Sequence, residues 1–429
     1  MVHYQILRPN DKPNLAHWIP LSLQHVFAMF GATILVPILT GLDPTTALFT
    51  AGTGTLIYIL CTGAKVPAFL GSSFAFIPPL IAISASHGIA YALGGAVAAG
   101  LFYCLVGLII RFAGTAWLDR VLPPVVIGSV IVVIGLCLAP TAMSMAMNDA
   151  SGNYNLVFLS IAAVTLCITI VANIFFKGFL GTIPILIGLL AGYFFTLIMG
   201  FFLPAYAIIN FQAVKEAPWF GLPTFHVPRF SLVPILTFVI VSLATICEHL
   251  GDTLVTSKVV GQDFYKNPGL HRTLTGDGLD TAWAALWGGP PNTTYGENIG
   301  VMAITRVYSV WVIGGAAVIA VVISFFKKFG ALIQTIPTPV LGGICMLLFG
   351  IIASSGLRTI VESGVDYKDN RNLAISSVIL VIGIGGGELA FSITQDLQFK
   401  LAGVALATVV GIILNLVFPR PTTASAGQS

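Results

Sequence analysis

Charged residues are what this sequence has least of. Of its 429 residues only 8% are Asp, Glu, Lys or Arg, whereas 57% are hydrophobic, and the mean hydropathy is +0.97. A soluble globular chain carries roughly 25% charged residues, so the composition excludes an ordinary soluble protein. The formal net charge of +3 says little about partners, because charges in a membrane protein are sorted by side of the membrane.

Motifs for catalysis and metal binding are also missing. The six cysteines are scattered singly through apolar runs, without the CxxC or Cys/His spacing of a metal site or a disulfide framework. The sequence contains no P-loop, HExxH, G-x-S-x-G or haem motif. We therefore expect no ATP-driven pump, no enzyme, no metal and no cofactor.

Long apolar runs, in contrast, are abundant. A helix needs about 20 mostly apolar residues to cross the hydrocarbon, and runs such as residues 21–39, 89–110 and 180–203 have this length. Shorter or interrupted candidates lie between them, which gives on the order of 12 to 14 spans. The sequence predicts an all-α polytopic membrane protein. The polar N-terminus has no small-residue cleavage site, so we predict no signal peptide.

The distribution of Lys and Arg predicts the orientation. With both termini placed in the cytoplasm, 14 of the 19 basic residues fall in inner segments and five in outer ones. This excess satisfies the positive-inside rule for an even number of helices.

Two apolar segments are broken by glycine, proline and polar residues. They are "PAFLGSSFAFIPPL" at 67–80 and "GGPPNTTYGENIG" at 288–300, one in each half of a chain that divides near the Pro-rich stretch 215–230. Broken segments at matching places in two halves point to a transporter's binding site, where backbone N–H groups at helix starts can hold a ligand's oxygens. The other interpretation is that both are loops between helices.

Three acidic residues do not lie in evident loops: Glu248, Asp252 and Glu297. Asp252 follows Glu248 by four residues, so on a helix the two share one face. Carboxylates inside spans are expensive and usually functional, and protonatable ones suit proton-coupled transport. Alternatively, they are neutral acids that only tie helices together. His25, in the first span, and His249 more often serve packing than proton relay.

These residues resemble a known family. "ENIGVMAITR" at 297–306 fits the [Q/E/P]-N-x-G-x4-T-[R/K/G] signature of the nucleobase–ascorbate transporter family. "SLQHVFAMFGATILVP", "GSSFAF", "CEHLGD" and "PNTTYGENIGVMAITRVYS" resemble segments of its bacterial uracil permeases. The resemblance covers nearly the whole chain.

The resemblance implies an architecture of 14 transmembrane helices in two inverted seven-helix repeats. Two short antiparallel strands, expected near 73–76 and 293–295, would interrupt helices 3 and 10. A core domain would comprise residues 1–122 (helices 1–4) and 231–336 (helices 8–11). A gate domain would comprise residues 123–230 (helices 5–7) and 337–429 (helices 12–14 and a C-terminal tail).

The resemblance also implies a substrate site made of six residues. The carboxylates of Glu248 and Glu297 would accept hydrogen bonds from pyrimidine N–H groups, and the backbone N–H groups of Phe74 and Gly296 would donate to its carbonyl oxygens. Tyr295 and Phe74 would bound the ring. The full set is Glu248, Glu297, Phe74, Gly296, Tyr295 and Ser73, of which Ser73 would support the strand.

The same resemblance assigns proton coupling to Glu248 and Asp252. A member of the family that carries uracil has a histidine at the position of Asp252 and a tyrosine at the position of Phe349, so this chain departs from it at both places. Two residues are expected to support the site: Asn298 by positioning the Glu297 carboxylate, and His25.

Uracil–proton symport across the bacterial inner membrane is therefore the predicted function. The partners expected are uracil, protons and membrane lipid, with a possible homodimer through the gate domain and no nucleic acid. A carboxylate at position 297 favours a pyrimidine, because purine-carrying relatives have Gln there. A purine or xanthine permease and an anion channel or exchanger of similar architecture remain the alternatives.

Overall fold

The computed structural model describes residues 6–394 and 397–419, and nearly all of its regular structure is helical. The two termini that we predict to be cytoplasmic, together with the end of the C-terminal tail, lie outside these residues. The helices are α1 (Leu15–Thr40), α2 (Pro44–Cys61), α3 (Ile77–His87), α4 (Ile89–Ala113), α5 (Ala116–Val121), α6 (Pro124–Leu136), α7 (Ala139–Met147), α8 (Leu156–Phe175), α9 (Pro184–Phe202), α10 (Gln212–Glu216), α11 (Leu232–Val260), α12 (Leu270–Leu286), α13 (Gly296–Thr305), α14 (Val310–Ser324), α15 (Lys327–Gln334), α16 (Thr338–Glu362), α17 (Asn370–Ile384) and α18 (Gly403–Val417). The strands are β1 (Leu70–Ser72), β2 (Asn292–Thr294), β3 (Glu388–Thr394) and β4 (Leu397–Ala402).

Many of these helices have the dimensions of membrane spans. Within the described residues, eight helical segments are long and apolar enough to cross a bilayer, with α6 and α7 forming one segment. Shorter apolar helices include α14, α17 and α18. Large apolar side chains such as Phe112, Phe201 and Val361 point outward, as expected where lipid replaces water. The chain is a multi-pass membrane protein.

The two halves of the chain repeat one order of elements. In the first half, α1 and α2 are followed by β1, the short helix α3 and then α4; in the second, α11 and α12 are followed by β2, the short helix α13 and then α14. Each strand with its short helix lies in one of the two broken apolar segments. Each broken segment therefore forms a strand followed by the start of a short helix.

Strands β1 and β2 pair antiparallel, with Leu70 opposite Thr294 and Ser72 opposite Asn292. The predicted strand at 73–76 is wrong by three residues, because residues 74–76 form a 3₁₀ turn. Proline at the start of α3 explains this, since its fixed φ angle favours the first turn of a helix. The second strand lies one residue earlier than predicted.

A second pair of strands, β3 and β4, was not predicted. They form an antiparallel hairpin between α17 and α18, which corrects the expectation that the only strands interrupt helices 3 and 10. The sequence does carry the signal, because apolar residues alternate along "ELAFSIT" and "LQFKLA". Glycines with positive φ, Gly386 and Gly403, lie at the two outer ends of this hairpin.

At one end of the molecule, Asp43 joins three segments. Its carboxylate caps α2 by accepting hydrogen bonds from Thr45, accepts another from the Thr224 backbone N–H at 3.1 Å, and lies 3.3 Å from the Lys327 ammonium of α15. Burial alone would raise the pKa of Asp43, but these hydrogen bonds and the Lys327 charge lower it below its usual value. Asp43 therefore anchors the loop before α11 as a carboxylate.

Glycines let α4 and α12 pack with their backbones almost in contact. A Cβ atom on Gly100 would lie 2.5 Å from the Gly278 carbonyl oxygen and the Ala282 nitrogen. Small residues at such crossings are what helices in membranes use to approach closely. The position of α12, which precedes β2, therefore depends on Gly100.

We expect Gly100→Ala to destabilise the protein, because its new methyl group must displace backbone atoms; overpacking of this kind costs about 1–3 kcal/mol. The matched control is Gly314→Ala in α14, where a Cβ would meet only the Ile59 side chain at 3.7 Å. Gly314→Ala should unfold at or slightly above the wild-type temperature in the same detergent. Equal melting temperatures for the two variants would contradict tight packing at Gly100.

Candidate functional site

A small cavity of about 50 Å³ lies beside the β1–β2 pair. Residues of β2, α11 and α13 form one wall, and residues of α6 and α16 form the other. Six of the nine predicted site residues line it, whereas Ser73, Asn298 and His25 do not. The lining residues are Phe74, Ile131, Glu248, Asp252, Thr293, Thr294, Tyr295, Gly296, Glu297, Ile351, Ile352 and Ser355.

The start of α13 opens into this cavity. Gly296 is its first residue, and no side chain caps the helix, so N–H groups of its first turn are left without a capping partner. Apart from its chain neighbours and the nearby backbone of α13 itself, no atom lies within 4 Å of where a Gly296 Cβ would be. The turn at Phe74 likewise has no side-chain cap. Both helix starts can therefore donate hydrogen bonds to an acceptor in the cavity.

Glu248 and Glu297 reach the cavity from α11 and α13. The Oε2 atom of Glu248 is buried and has no hydrogen-bond partner among the described residues. An unpaired buried oxygen costs free energy, about 1–3 kcal/mol or more for a charged group, so it marks a place where a ligand's donor would be stabilised. Glu297 lies in the first turn of α13.

Asp252 lies one turn beyond Glu248 on α11 and is held in place by a strand residue. Its Oδ2 atom accepts a hydrogen bond of 2.9 Å from the Thr294 hydroxyl. Asp252 thus links α11 directly to β2, and it lines the cavity with Glu248.

Tyr295 closes the cavity on the strand side. Its hydroxyl donates to the Ser72 carbonyl at 3.1 Å and accepts from the Thr33 hydroxyl at 3.2 Å. The ring lies against Gly71, where a Cβ would come within 2.6 Å of it. Tyr295 is therefore fixed by β1 and α1 together.

Phe74 and Ser73 lie at the other strand's end. The Phe74 ring meets the Phe349 ring of α16 edge to face, with centroids 5.6 Å apart. Ser73 is fully buried and its hydroxyl has no partner among the described residues, but its backbone N–H donates to the Pro291 carbonyl at 2.8 Å. Ser73 thus extends the strand pairing by one bond.

Asn298 and His25 bond to each other rather than to the cavity. The Asn298 amide nitrogen lies 3.0 Å from Nδ1 of His25 and donates to the His25 carbonyl at 3.2 Å. The Asn298 amide thus holds α13 against α1, and its role in positioning the Glu297 carboxylate stays a prediction.

Two buried acids on α12 were missed in the sequence. Asp277 is fully buried, with Oδ2 2.8 Å from Nδ1 of His249, whose Nε2 lies 3.1 Å from the Thr273 hydroxyl. His249 thus faces α12, away from the cavity. Asp280 is also fully buried. Their spacing in "GDGLDTAWAAL" places both on one side of a helix, which was the signal available.

Asp280 and its neighbour hold the first residue of β2. Oδ1 of Asp280 accepts a hydrogen bond of 2.7 Å from the Asn292 side chain, and the Thr281 hydroxyl donates to the Asn292 carbonyl at 2.8 Å. The strand that leads to Tyr295, Gly296 and Glu297 is therefore fixed by α12.

We predict that Asp280→Ala loosens β2, because it removes the acceptor for a buried amide at a cost of about 1–3 kcal/mol. It should lower the melting temperature and speed hydrogen exchange of the amides at 292–294. Asp280→Asn is the matched control, since it keeps an oxygen acceptor although without the charge, and should loosen the strand less than Asp280→Ala. Unchanged exchange in Asp280→Ala would show that this bond does not fix the strand.

Solved structures of transporters share this fold. The transmembrane domain of a cyanobacterial bicarbonate transporter, BicA, superimposes with a TM-score of 0.63 at 17% identity, covering 96% of this chain and all of that one. The murine anion transporter Slc26a9 in its inward-facing state superimposes with a TM-score of 0.69 at 11% identity, covering 95% of this chain and 69% of that one. At these identities the likeness concerns the fold alone.

Sequence relatives cover almost the whole chain. The uracil permease of Bacillus subtilis is 52% identical, over 98% of this chain and 96% of the relative. The uracil permease of Escherichia coli K12 is 46% identical over 95% and 93%. The putative pyrimidine permease RutG of Escherichia coli is 39% identical over 97% and 92%.

The family model Xan_ur_permease, described as a permease family, matches residues 16–390. This match and the relatives confirm the family resemblance of the "ENIGVMAITR" signature. They also indicate a transporter rather than an enzyme. The chain belongs to this permease family and is a membrane transporter.

Proposed function

We propose that this protein takes up uracil together with protons across the bacterial inner membrane by alternating access. The observation that carries the proposal is the cavity in which two carboxylates face two helix starts. Relatives named uracil permeases, at 52% and 46% identity over nearly the whole chain, support the same substrate.

The cavity complements uracil chemically. Uracil is a flat ring with two N–H donors and two carbonyl acceptors, so it needs two acceptors and two donors in the plane of the ring. Glu248 and Glu297 supply the acceptors, and the backbone N–H groups of Phe74 and Gly296 supply the donors. The ring lies between Phe74 and Tyr295, whose side chains are nearly fully buried.

The charge of the cavity argues against an anion channel or exchanger. Among the residues that line the cavity there is no Lys, Arg or His, so it offers no cation to attract an inorganic anion. Competition with unlabelled xanthine separates a pyrimidine from a purine substrate. If the protein carries uracil, excess xanthine should leave the uptake of labelled uracil unchanged, whereas a purine or xanthine permease would show reduced uptake.

Alternating access follows if two units move against each other. We take residues 1–122 and 231–336 as the core and residues 123–230 and 337–429 as the gate, with fourteen crossings in two inverted repeats. The cavity wall supports this division, because Glu248 and Glu297 come from the core while Ile131 and Ser355 come from the gate. Movement of one unit past the other would open the cavity to each side in turn.

Proton coupling is assigned to Glu248 and Asp252. Their side chains share one face of α11, and Thr294 ties Asp252 to the strand that borders the substrate. A proton on Glu248 would remove an unpaired negative charge from the cavity when the carrier moves. We also propose that both termini are cytoplasmic and that two copies pair through their gate domains.

Proteoliposomes test the coupling directly. An inward proton gradient should raise the initial rate of radiolabelled uracil uptake, because proton binding and substrate movement are linked. Asp252→Asn should retain uracil binding but lose much of the response to the gradient. If uracil uptake by the wild-type protein does not depend on the proton gradient, transport is not coupled to protons. Uracil would remain the substrate.

Glu297→Gln tests the site. A hydrogen bond to a charged group contributes about 1.5–3 kcal/mol, so we expect uracil affinity to fall roughly 10- to 100-fold in equilibrium binding to detergent-solubilised protein. The matched control is Glu362→Gln, at an exposed end of α16 where Glu362 pairs with Lys258. An affinity equal to that of the control would take Glu297 out of the binding site.

A further inference from the structure

A second, larger cavity lies at the surface between the end of α4 and the start of α12. Its volume is about 740 Å³, and the wall carries three basic side chains: Arg111 in the last turn of α4, and His271 and Arg272 in the first turn of α12. No acidic residue lines it. The substrate site described above shares none of these residues.

The guanidinium groups of Arg111 and Arg272 are not paired with any side chain or carbonyl of the described residues. Neither Arg111 nor Arg272 makes a hydrogen bond or an ion pair with any residue in the part of the chain that the structure describes, and both are exposed. Neighbouring basic residues are engaged: Lys65 donates to the Asn267 side chain at 2.7 Å, and Lys266 lies 3.2 Å from Asp263. The cavity therefore presents uncompensated positive charge.

The same cavity borders the lipid-facing surface of α4. Leu105 and Leu108 line it, and both are exposed, as are Leu101 one turn earlier and Phe112 at the helix end. The charged end of the cavity is thus at the end of a membrane-spanning helix, where lipid headgroups lie, and its apolar wall continues toward the hydrocarbon.

Two simpler explanations account for only part of this arrangement. Basic residues at a helix end are expected from the positive-inside rule and from snorkelling, but neither requires a cavity between two helices. Helix dipoles do not supply the charge either, because the C-terminus of α4 lies beside the N-terminus of α12 and their partial charges oppose each other.

We propose that this cavity binds the phosphate group of an anionic phospholipid. Arginine side chains match phosphate oxygens in geometry and charge, and basic pockets between membrane helices are known to take such headgroups. Arg111 and Arg272 hold the phosphate from two helices, while an acyl chain lies along Leu105 and Leu108. This goes beyond uracil transport, since the ligand is a lipid at another site.

Binding here would strengthen the contact between α4 and α12. These helices already pack through Gly100 and Gly278, and α12 carries Asp280, which holds β2. A lipid that bridges Arg111 and Arg272 therefore stabilises the helix pair on which the strand depends. The expected readout is thermal stability of the whole protein rather than uracil affinity.

The test uses the full-length protein in detergent, with phosphatidylglycerol or phosphatidylcholine added. The melting temperature of the protein is measured, and bound lipid is detected by native mass spectrometry. Phosphatidylglycerol should raise the wild-type melting temperature and remain bound, whereas phosphatidylcholine should not. Replacing Arg111 or Arg272 by Gln should weaken phosphatidylglycerol binding roughly fivefold each, and the double variant roughly 25-fold, from the contribution of one basic residue near an anionic surface.

Arg358→Gln is the matched control, because Arg358 is an exposed arginine of α16 outside this cavity. It should bind phosphatidylglycerol as the wild type does. Double-variant binding equal to that of Arg358→Gln overturns the proposal, as does a melting temperature raised equally by millimolar inorganic phosphate, which would identify a free-phosphate site. Uracil affinity unchanged in all variants is expected and separates this result from a failure of the transport proposal.

Discussion

The pairing of β1 with β2 is the constraint on which the rest of the structure depends. A backbone that leaves the helical conformation at membrane depth must find other hydrogen-bond partners, because hydrocarbon supplies none. The backbone of Leu70–Ser72 pairs with the backbone of Asn292–Thr294. Both segments can therefore leave the helical conformation at the same place. Two short helices then begin there, and their first N–H groups are directed into a cavity instead of into protein.

The surrounding side chains serve this pairing from several directions. Asp280 and Thr281 hold the start of β2, and Tyr295 bonds across its end to Ser72. Asp252 reaches the same strand through Thr294. Buried acids therefore have two different uses in this chain: Asp280 fixes the strand, whereas Glu248 keeps a buried oxygen unpaired beside the cavity.

Much of this was predictable from the sequence, and the failures have physical reasons. Glycine, proline and polar residues in two apolar segments predict broken spans. Glu248 and Glu297 stand out because carboxylates are rare in membrane-spanning segments. The register of β1 was not predictable, since it is set by where the prolines of α3 allow a helix to begin. Asp277 and Asp280 were overlooked because their partners, His249 and Asn292, are distant in sequence or on another element. The direction of the Asn298 amide depends on His25, 273 residues away, which no local pattern reports.

The most direct measurement is an experimental structure of the protein with uracil bound, at a resolution that shows the orientation of the ring. We expect the ring between Phe74 and Tyr295, with its N–H groups toward the carboxylates of Glu248 and Glu297 and its carbonyl oxygens toward the N–H groups of Phe74 and Gly296. A ring bound elsewhere, or one whose carbonyl oxygens face the two carboxylates, would contradict it.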